Sequence, residues 1–303
     1  MPRTQIFRYN RCVKLLVTGA GGMLGTDVCA EAVRRGHTVV RTGRQPRDGF
    51  LSLDLCDTDA TLAAMRNAAP DAIIHCAAWT NVDGAERDPD DAYRGNALAS
   101  WNVAHAAAET GAWVVAVSTD FVFDGAKTTP YHEFDAVNPL GVYGASKWAG
   151  EKVLRETLPM RHMIARTSWL FGTHGKNFVS TVQRLAGSLP EVPIVADQTG
   201  TPTHTADLSR VLLDLAESPL AGTYHASGQG DCSWFTFAQA IVQESGLTTL
   251  VVPITAQEYA DRFHSPTKRP AYSVMDNLSL RLRGLDTMPA WETALADYLR
   301  RAG

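Results

Sequence analysis

Tyr143 and Lys147 stand four residues apart, with Ser146 between them, in the stretch NPLGVYGASKWAGE. On a helix that spacing puts phenol and ammonium on one face. A cation there favours ionisation of a phenol whose ordinary pKa is ~10. The pair suits a proton donor to a carbonyl oxygen. Thr119, in AVSTDFVFDG, offers a hydroxyl that completes a hydrogen-bonding cradle for the same oxygen if the fold brings it alongside. The chemistry is reduction of a ketone. Hydride reaches carbon while Tyr143 protonates the developing alkoxide; Lys147 lowers the phenol pKa and holds a nicotinamide ribose, and Thr119 orients the carbonyl.

A nicotinamide needs a dinucleotide site. The run LLVTGAGGMLG sets Gly19, Gly22 and Gly25 directly after a strand and at the opening of a helix, with Met23 and Leu24 in its first turn. Glycines there allow the tight turn, the close approach of backbone to pyrophosphate and the packing of helix on strand, while the helix N-terminus attracts the anion. About twenty residues on, where an acidic side chain would take a ribose 2′-hydroxyl, the chain has Arg41 and Arg44 instead. Two guanidiniums suit a 2′-phosphate, so NADPH is expected, with NADH the alternative. Asp54 and Leu55, at the end of an expected third strand, are placed to meet adenine. Ala77, Ala78 and Trp79 follow a fourth strand at the same ligand edge.

Short apolar runs, KLLVTG, HTVVRTG, DAIIHCA, WVVAVST and HMIARTS, alternate with helix-patterned stretches at 26–36, 59–70, 90–111 and 146–159. That rhythm predicts an α/β fold, a Rossmann-type doubly wound parallel sheet. After Trp169 it breaks into segments rich in proline and glycine, with helical patterns at 207–218 and 233–246. The expected division is a dinucleotide-binding domain over 12–170 to which 206–225 returns, a smaller C-terminal substrate lobe from 171–205 and 226–303, and a flexible extension over 1–11.

The formal charge of -4 and pI near 6.1 supply no basic field, so no nucleic-acid partner is expected. Cys12, Cys29, Cys56, Cys76 and Cys232 form no CxxC pair and read as reduced thiols. His132, His162, His174, His204, His225 and His264 lack metal-ligand spacing; the sequence marks no metal site and leaves metal dependence open. The acidic run ERDPDD at 86–91 reads as favouring a helix N-terminus. No secretory signal or membrane-length apolar run is apparent, so a cytoplasmic protein away from membranes is expected.

In GAGGMLG, AAWTNVDGAE with Asn96 and Ala97 beyond it, STDFVFDG, NPLGVYGASKWAGE, RTSWLFG, DQTGTPT and KRPAYSVMD, the chain resembles the extended short-chain dehydrogenase/reductases, and among them the dTDP-4-dehydrorhamnose reductases. The resemblance covers roughly 14–280. It implies a catalytic set of Thr119, Tyr143 and Lys147, and a dTDP-linked 4-keto-6-deoxy sugar as substrate. It further implies sugar contacts from Val82, Thr119, Asp120 and Trp169, a nucleotide-sugar lobe shaped by Gln198, Thr201 and Pro202, and a diphosphate met by Arg269. Phe121 stands where the family usually has tyrosine, Met275 replaces a common leucine, and Trp79 occupies a variable position. Monomer and homodimer are both open. A sugar dehydratase would carry an acid after Thr119-Asp120, where this chain has Phe121. An epimerase-reductase would need a cysteine and a histidine exchanging protons, and His75-Cys76 reads as core. A non-enzymatic regulatory subunit on the same fold need not retain all three of Thr119, Tyr143 and Lys147.

Overall fold

The computed structural model describes residues 12–302; the extension expected over 1–11 lies outside the described residues. Seven strands form one parallel sheet: β1 (Lys14–Thr18), β2 (Thr38–Gly43), β3 (Phe50–Ser52), β4 (Ala72–His75), β5 (Trp113–Thr119), β6 (His162–Thr167) and β7 (Gly222–His225). Their order is β7-β6-β5-β4-β1-β2-β3. The order reverses between β1 and β4, and a crevice opens at the strand carboxyl ends on either side of that switch point.

The central strands are mostly apolar because both faces are covered. Successive side chains point to opposite faces. Leu15, Val17, Ile74 and Val115 join one core with α1 (Met23–Arg34) and the late helix α5 (Thr205–Glu217). Leu16, Ile73, Val114 and Ile164 join the other, with α2 (Thr58–Ala68), α3 (Ala99–Thr110) and α4 (Val142–Thr157). A third cluster around Phe171, Phe237, Ile241 and Trp291 holds the C-terminal elements beside the sheet.

Three local expectations change. The segment 90–111 is not one helix: Pro89–Tyr93 leads through a π-helical turn at Arg94–Leu98 into α3. The wide turn lets Gly95 press on Trp79, where a Cβ would lie 3.1 Å from the Trp79 Cβ, and turns Asn96 inward. Helix α4 starts at Val142 rather than 146, because Glu86 Oε1 accepts from the Val142 amide at 2.7 Å and serves its N-terminus. Strand β3 ends at Ser52, so Asp54 and Leu55 lie in the loop beyond it.

The proline-rich stretches after Trp169 are partly regular. Glu191–Val195 pairs in parallel with Leu250–Ile254, setting Pro193 opposite Val252 and Pro253 opposite Ile194. In a two-stranded sheet each strand is an edge, and an edge tolerates proline's missing donor. No helix among the described residues is long and apolar enough to cross a membrane.

Candidate active site

Gly19 follows β1 with φ of 63°, and a Cβ there would sit 2.8 Å from the Ala77 amide nitrogen at the end of β4. The backbones of the two strand ends therefore meet with nothing between them. A Cβ on Gly25 would collide with the Gly19 carbonyl oxygen, so glycine sets how tightly α1 seats on β1. The helix N-cap is Gly22 and no side chain caps it. Its first-turn amides face a cavity of about 620 Å³ lined by Gly19, Gly22, Met23, Leu24 and Gly25. Free amides, positive helix end and lack of side chains fit a pyrophosphate.

A second cavity, about 400 Å³, shares Gly19, Ala77 and Ala78 with the first and is lined further by Arg44, Asp54, Leu55 and Trp79. Asp54 Oδ1 accepts from the Cys56 amide at 3.0 Å, and the Leu55 carbonyl accepts from Asn102 Nδ2 at 2.8 Å, a bond that helps hold α3. Arg41 is the exception among the expected cofactor residues. Its guanidinium lies beside the Cys29 thiol of α1, where it opposes the rise that burial imposes on that thiol. It lines neither cavity. The second cation at this edge is Arg47 instead: its Nη1 would lie 3.5 Å from a Cβ on Gly21, and its guanidinium rests 4.9 Å above the Phe50 ring. Arg44 and Arg47 bracket the loop that leaves β2.

The larger cavity brings Thr119, Asp120, Tyr143, Lys147 and Trp169 together with the glycine turn. Thr119 closes β5 and accepts from the Phe121 amide at 3.2 Å while donating to Asp120 Oδ1 at 3.1 Å. The Tyr143 ring is braced edge-on by Phe121, with centroids 5.6 Å apart. Its pKa is pushed up to about 12, first by burial, with the Thr119 hydroxyl pulling down and the Asp120 charge adding to the rise. Lys147 does not lower the phenol here as its spacing suggested. Its Nζ donates to the Val117 carbonyl at 2.8 Å, and burial brings its own pKa down to about 8. Asp120 is raised to about 6 by burial, against the hydrogen bonds it accepts from Ser273 (2.6 Å) and Thr119. At neutral pH the phenol is protonated, the lysine mostly charged, and a proton is available to a nearby alkoxide.

Ser146 takes no part in the cavity wall. Its Oγ accepts from Asn96 Nδ2 at 2.9 Å, and Asn96 also bonds the Trp79 amide and carbonyl. The side chain thus ties the loop after β4 to α4. Cys76 lines the cavity, while His75 is held between Thr18 and Ser100. Burial pushes the Cys76 thiol up to about 12 and holds His75 down to about 3. Neither is poised to exchange protons near neutrality, which removes the support an epimerase-reductase would need.

Val82, Gln198 and Arg269 complete the wall on the side away from the glycines. Trp169 has a positive φ of 45°, a strained backbone for an aromatic residue. It is over-determined by packing: Trp234 stacks on it with centroids 3.4 Å apart and planes 7° from parallel, and Gly200 leaves room for its ring. Arg269 donates to Asp83 Oδ1 and to Ser265 Oγ, both at 3.0 Å. With Gln198 and Trp234, it also lines a third cavity of about 570 Å³ walled by Phe178, Ile194, Tyr259 and Lys268. Thr201 and Pro202 stand behind the wall; Thr201 bonds the Gly230 carbonyl and the Ser168 hydroxyl. Sequence reasoning missed Arg47, Lys176, Trp234 and Ser273. Arg47 was within reach of a count of cations after β2, whereas Trp234 and Ser273 carry no local signal. Among the described residues no group of three or more His, Cys, Asp or Glu is placed to hold a metal ion.

The comparisons agree with this geometry. The family model described as "RmlD substrate binding domain" matches residues 13–303. The spore coat polysaccharide biosynthesis protein SpsK of Bacillus subtilis is 38% identical over 287 residues, covering 95% of this chain and 97% of that protein. A dTDP-4-dehydrorhamnose reductase of Mycobacterium tuberculosis is 38% identical over 297 residues, with 95% and 93% covered. A crystal structure of dTDP-4-dehydrorhamnose reductase from Bacillus anthracis in complex with NADP superposes with a TM-score of 0.90 at 37% identity, covering 96% of this chain and 100% of that one. The chain therefore belongs to the RmlD substrate-binding-domain family, that of the dTDP-4-dehydrorhamnose reductases.

Proposed function

We propose that this chain is an NADPH-dependent oxidoreductase that reduces the ketone of dTDP-4-dehydro-L-rhamnose to dTDP-L-rhamnose, a step of deoxysugar and polysaccharide biosynthesis. The observation that carries the reading is the convergence of Thr119, Tyr143 and Lys147 with an uncapped glycine turn on one side and Trp169 on the other. Residues 12–170 with 206–225 form the cofactor half, and 171–205 with 226–303 the sugar half. When bound, the nicotinamide supplies the hydride.

The chain's own residues do the rest. Met23, Leu24 and Gly25 would present the free first-turn amides to the pyrophosphate, the Gly22 amide being held by the Gly19 carbonyl at 2.9 Å. Arg44 and Arg47 would take the 2′-phosphate, and Asp54 and Trp79 would border the adenine. Lys147, whose ammonium donates to the Val117 carbonyl, would hold the nicotinamide ribose. Thr119 holds the carbonyl oxygen, and the neutral Tyr143 phenol donates its proton to that oxygen as negative charge builds there. A phenol kept at about 12 is a weak acid in the resting enzyme, yet the developing alkoxide is more basic still, so transfer runs towards product. Trp169 covers the apolar face of the deoxysugar. Gln198 and Arg269 lead into the third cavity, which takes the diphosphate and nucleoside.

Phe121 favours a second reading within the same chemistry, a related dTDP-4-ketohexose as substrate. It lines the cavity against Tyr143 and brings no hydroxyl to the sugar. A panel of dTDP-linked 4-keto-6-deoxyhexoses, followed by NADPH absorbance and product stereochemistry, separates the two. Fastest turnover on the rhamnose precursor supports the first; faster turnover on an epimer transfers the assignment to that sugar. No NADPH oxidation above background with any of them defeats the reductase reading and leaves a non-catalytic nucleotide-binding role.

A further inference from the structure

We propose that Glu151 is a positioning residue for Lys147: it locks α4 to the strand that ends in Thr119, and its charge keeps the lysine an ammonium. The inference rests on the catalytic reading of Lys147 given above. Glu151 lies one helical turn beyond Lys147, and both side chains are buried. They grip consecutive residues of β5. Lys147 Nζ donates to the Val117 carbonyl at 2.8 Å, and Glu151 Oε1 accepts from Ser118 Oγ at 2.5 Å. The next residue of that strand is Thr119. A shift of α4 along β5 would therefore move phenol and ammonium relative to the threonine hydroxyl, and the two-point grip opposes it.

The carboxylate is fixed from behind. Arg166, paired in register with Ser118 across β5 and β6, donates from Nε to Oε1 at 3.0 Å and from Nη2 to Oε2 at 2.8 Å. Arg155, one turn further along α4, donates to Oε2 at 2.8 Å. A buried ion cluster is poor value as a source of stability, since well-packed apolar side chains do as well or better. Its placement under a catalytic lysine gives it another use.

The groups facing Lys147 are few. From its own helix come Tyr143 and Glu151, and from the end of β4 come His75 and Cys76; Asp120 faces Tyr143, and Arg155 and Arg166 reach Glu151 rather than the ammonium. Burial lowers Lys147 to about 8, with Glu151 the first opposing influence and Cys76 the second. That leaves a narrow margin above neutrality. Without the Glu151 charge, the ammonium would titrate within the working range.

The test is the pH dependence of kcat/KM for NADPH in four purified variants. Glu151→Gln is expected to move the alkaline limb down by about 1–2 pH units, the scale of one charge lost a helical turn away in a partly screened interior. Arg155→Gln, which frees Glu151 of a competing half-buried cation, moves it up. Ser118→Ala retains the charge, so the limb stays in place while kcat falls severalfold through the loosened grip. Opposite shifts for the first two are not what a merely structural role produces. If Glu151→Gln does not fold, the Arg155→Gln shift decides alone. A limb unmoved in the folded variants, or moved the same way by both, overturns the proposal. Lys147→Met separates this failure from that of the parent reading: if it keeps activity with the wild-type profile, the catalytic assignment of Lys147 is itself wrong.

Discussion

In the proposed reading, the half of the cleft assigned to the cofactor and the half assigned to the sugar are built by different means. On the proposed cofactor side the pyrophosphate region is lined mainly by backbone, namely the glycine turn after β1, Ala77 and Ala78 after β4, and the uncapped start of α1, with side chains such as Arg44, Asp54 and Trp79 entering only at the nucleoside end. On the proposed sugar side the cavity is lined by side chains from distant segments, namely Trp169, Gln198, Trp234, Arg269 and Ser273. Backbone at strand ends is fixed by the sheet and holds a group that never varies. Scattered side chains can be exchanged one at a time, so specificity for the sugar is free to change without disturbing the dinucleotide. Tyr143, Lys147 and Thr119 stand at the seam.

That division can be broken at the seam first. Tyr143→Phe removes the proton donor, and kcat should fall by ~10²–10⁴ while the Kd for NADPH, read by fluorescence titration, stays put; a matching loss of NADPH affinity would show that the phenol binds rather than reacts. Trp169→Ala, on the sugar side alone, should raise KM for the nucleotide sugar ~10–100-fold, the worth of burying an aromatic face. An equal rise in Kd for NADPH would deny that the halves are separable.

The pH profile comes next, changing about tenfold per unit outside its limbs. Lys147 acts as a cation, so kcat/KM should fall as pH rises through about 8, where the ammonium is lost. Asp120 holds Thr119 and Ser273 as a carboxylate, so activity should fall as pH drops through about 6, where it gains a proton. An alkaline limb retained in Lys147→Met would assign it elsewhere.

On the cofactor side, Arg44→Ala with Arg47→Ala should weaken NADPH about tenfold or more and leave NADH unchanged, as expected for charge-assisted bonds to one phosphate. Arg41→Ala should change NADPH affinity least of all, by under about twofold, as for a side chain outside the cavity. A larger loss from Arg41 than from the other pair would return the 2′-phosphate to the strand.

The difference between the halves also explains what could be read from the sequence. Strand, glycine turn and helix occupy one short run, and the pattern LLVTGAGGMLG carries its own structural context. Burial on both faces made the central strands visible as short, nearly continuous apolar runs. The outward or inward turn of Arg41 was not legible, because spacing after the glycines reveals a cation near the expected ribose but not which way a strand residue faces; its side chain turns to Cys29 on α1. The rise of the Tyr143 pKa was equally hidden, since sequence spacing shows the nearby lysine but neither the burial that raises the phenol nor the Val117 carbonyl that takes the ammonium. Phe121, Gln198 and Arg269 were placed by family resemblance rather than by pattern. Ser273 and Trp234 act only through the tertiary approach of late segments to Asp120 and Trp169, and nothing local marks them. The paired strands Glu191–Val195 and Leu250–Ile254 escaped because their prolines read as loop.

The central claim is that hydride passes from NADPH to the sugar ketone in this cleft while Tyr143 supplies the proton. It is tested most directly by turnover of dTDP-4-dehydro-L-rhamnose with NADPH deuterated at the transferable position, followed by mass analysis of the isolated sugar nucleotide. The account predicts one deuterium on the carbon that bore the ketone in the wild-type product, and next to none formed by Tyr143→Phe over the same interval. Consumption of NADPH without label in the sugar, or full labelling by Tyr143→Phe at the wild-type rate, would contradict it.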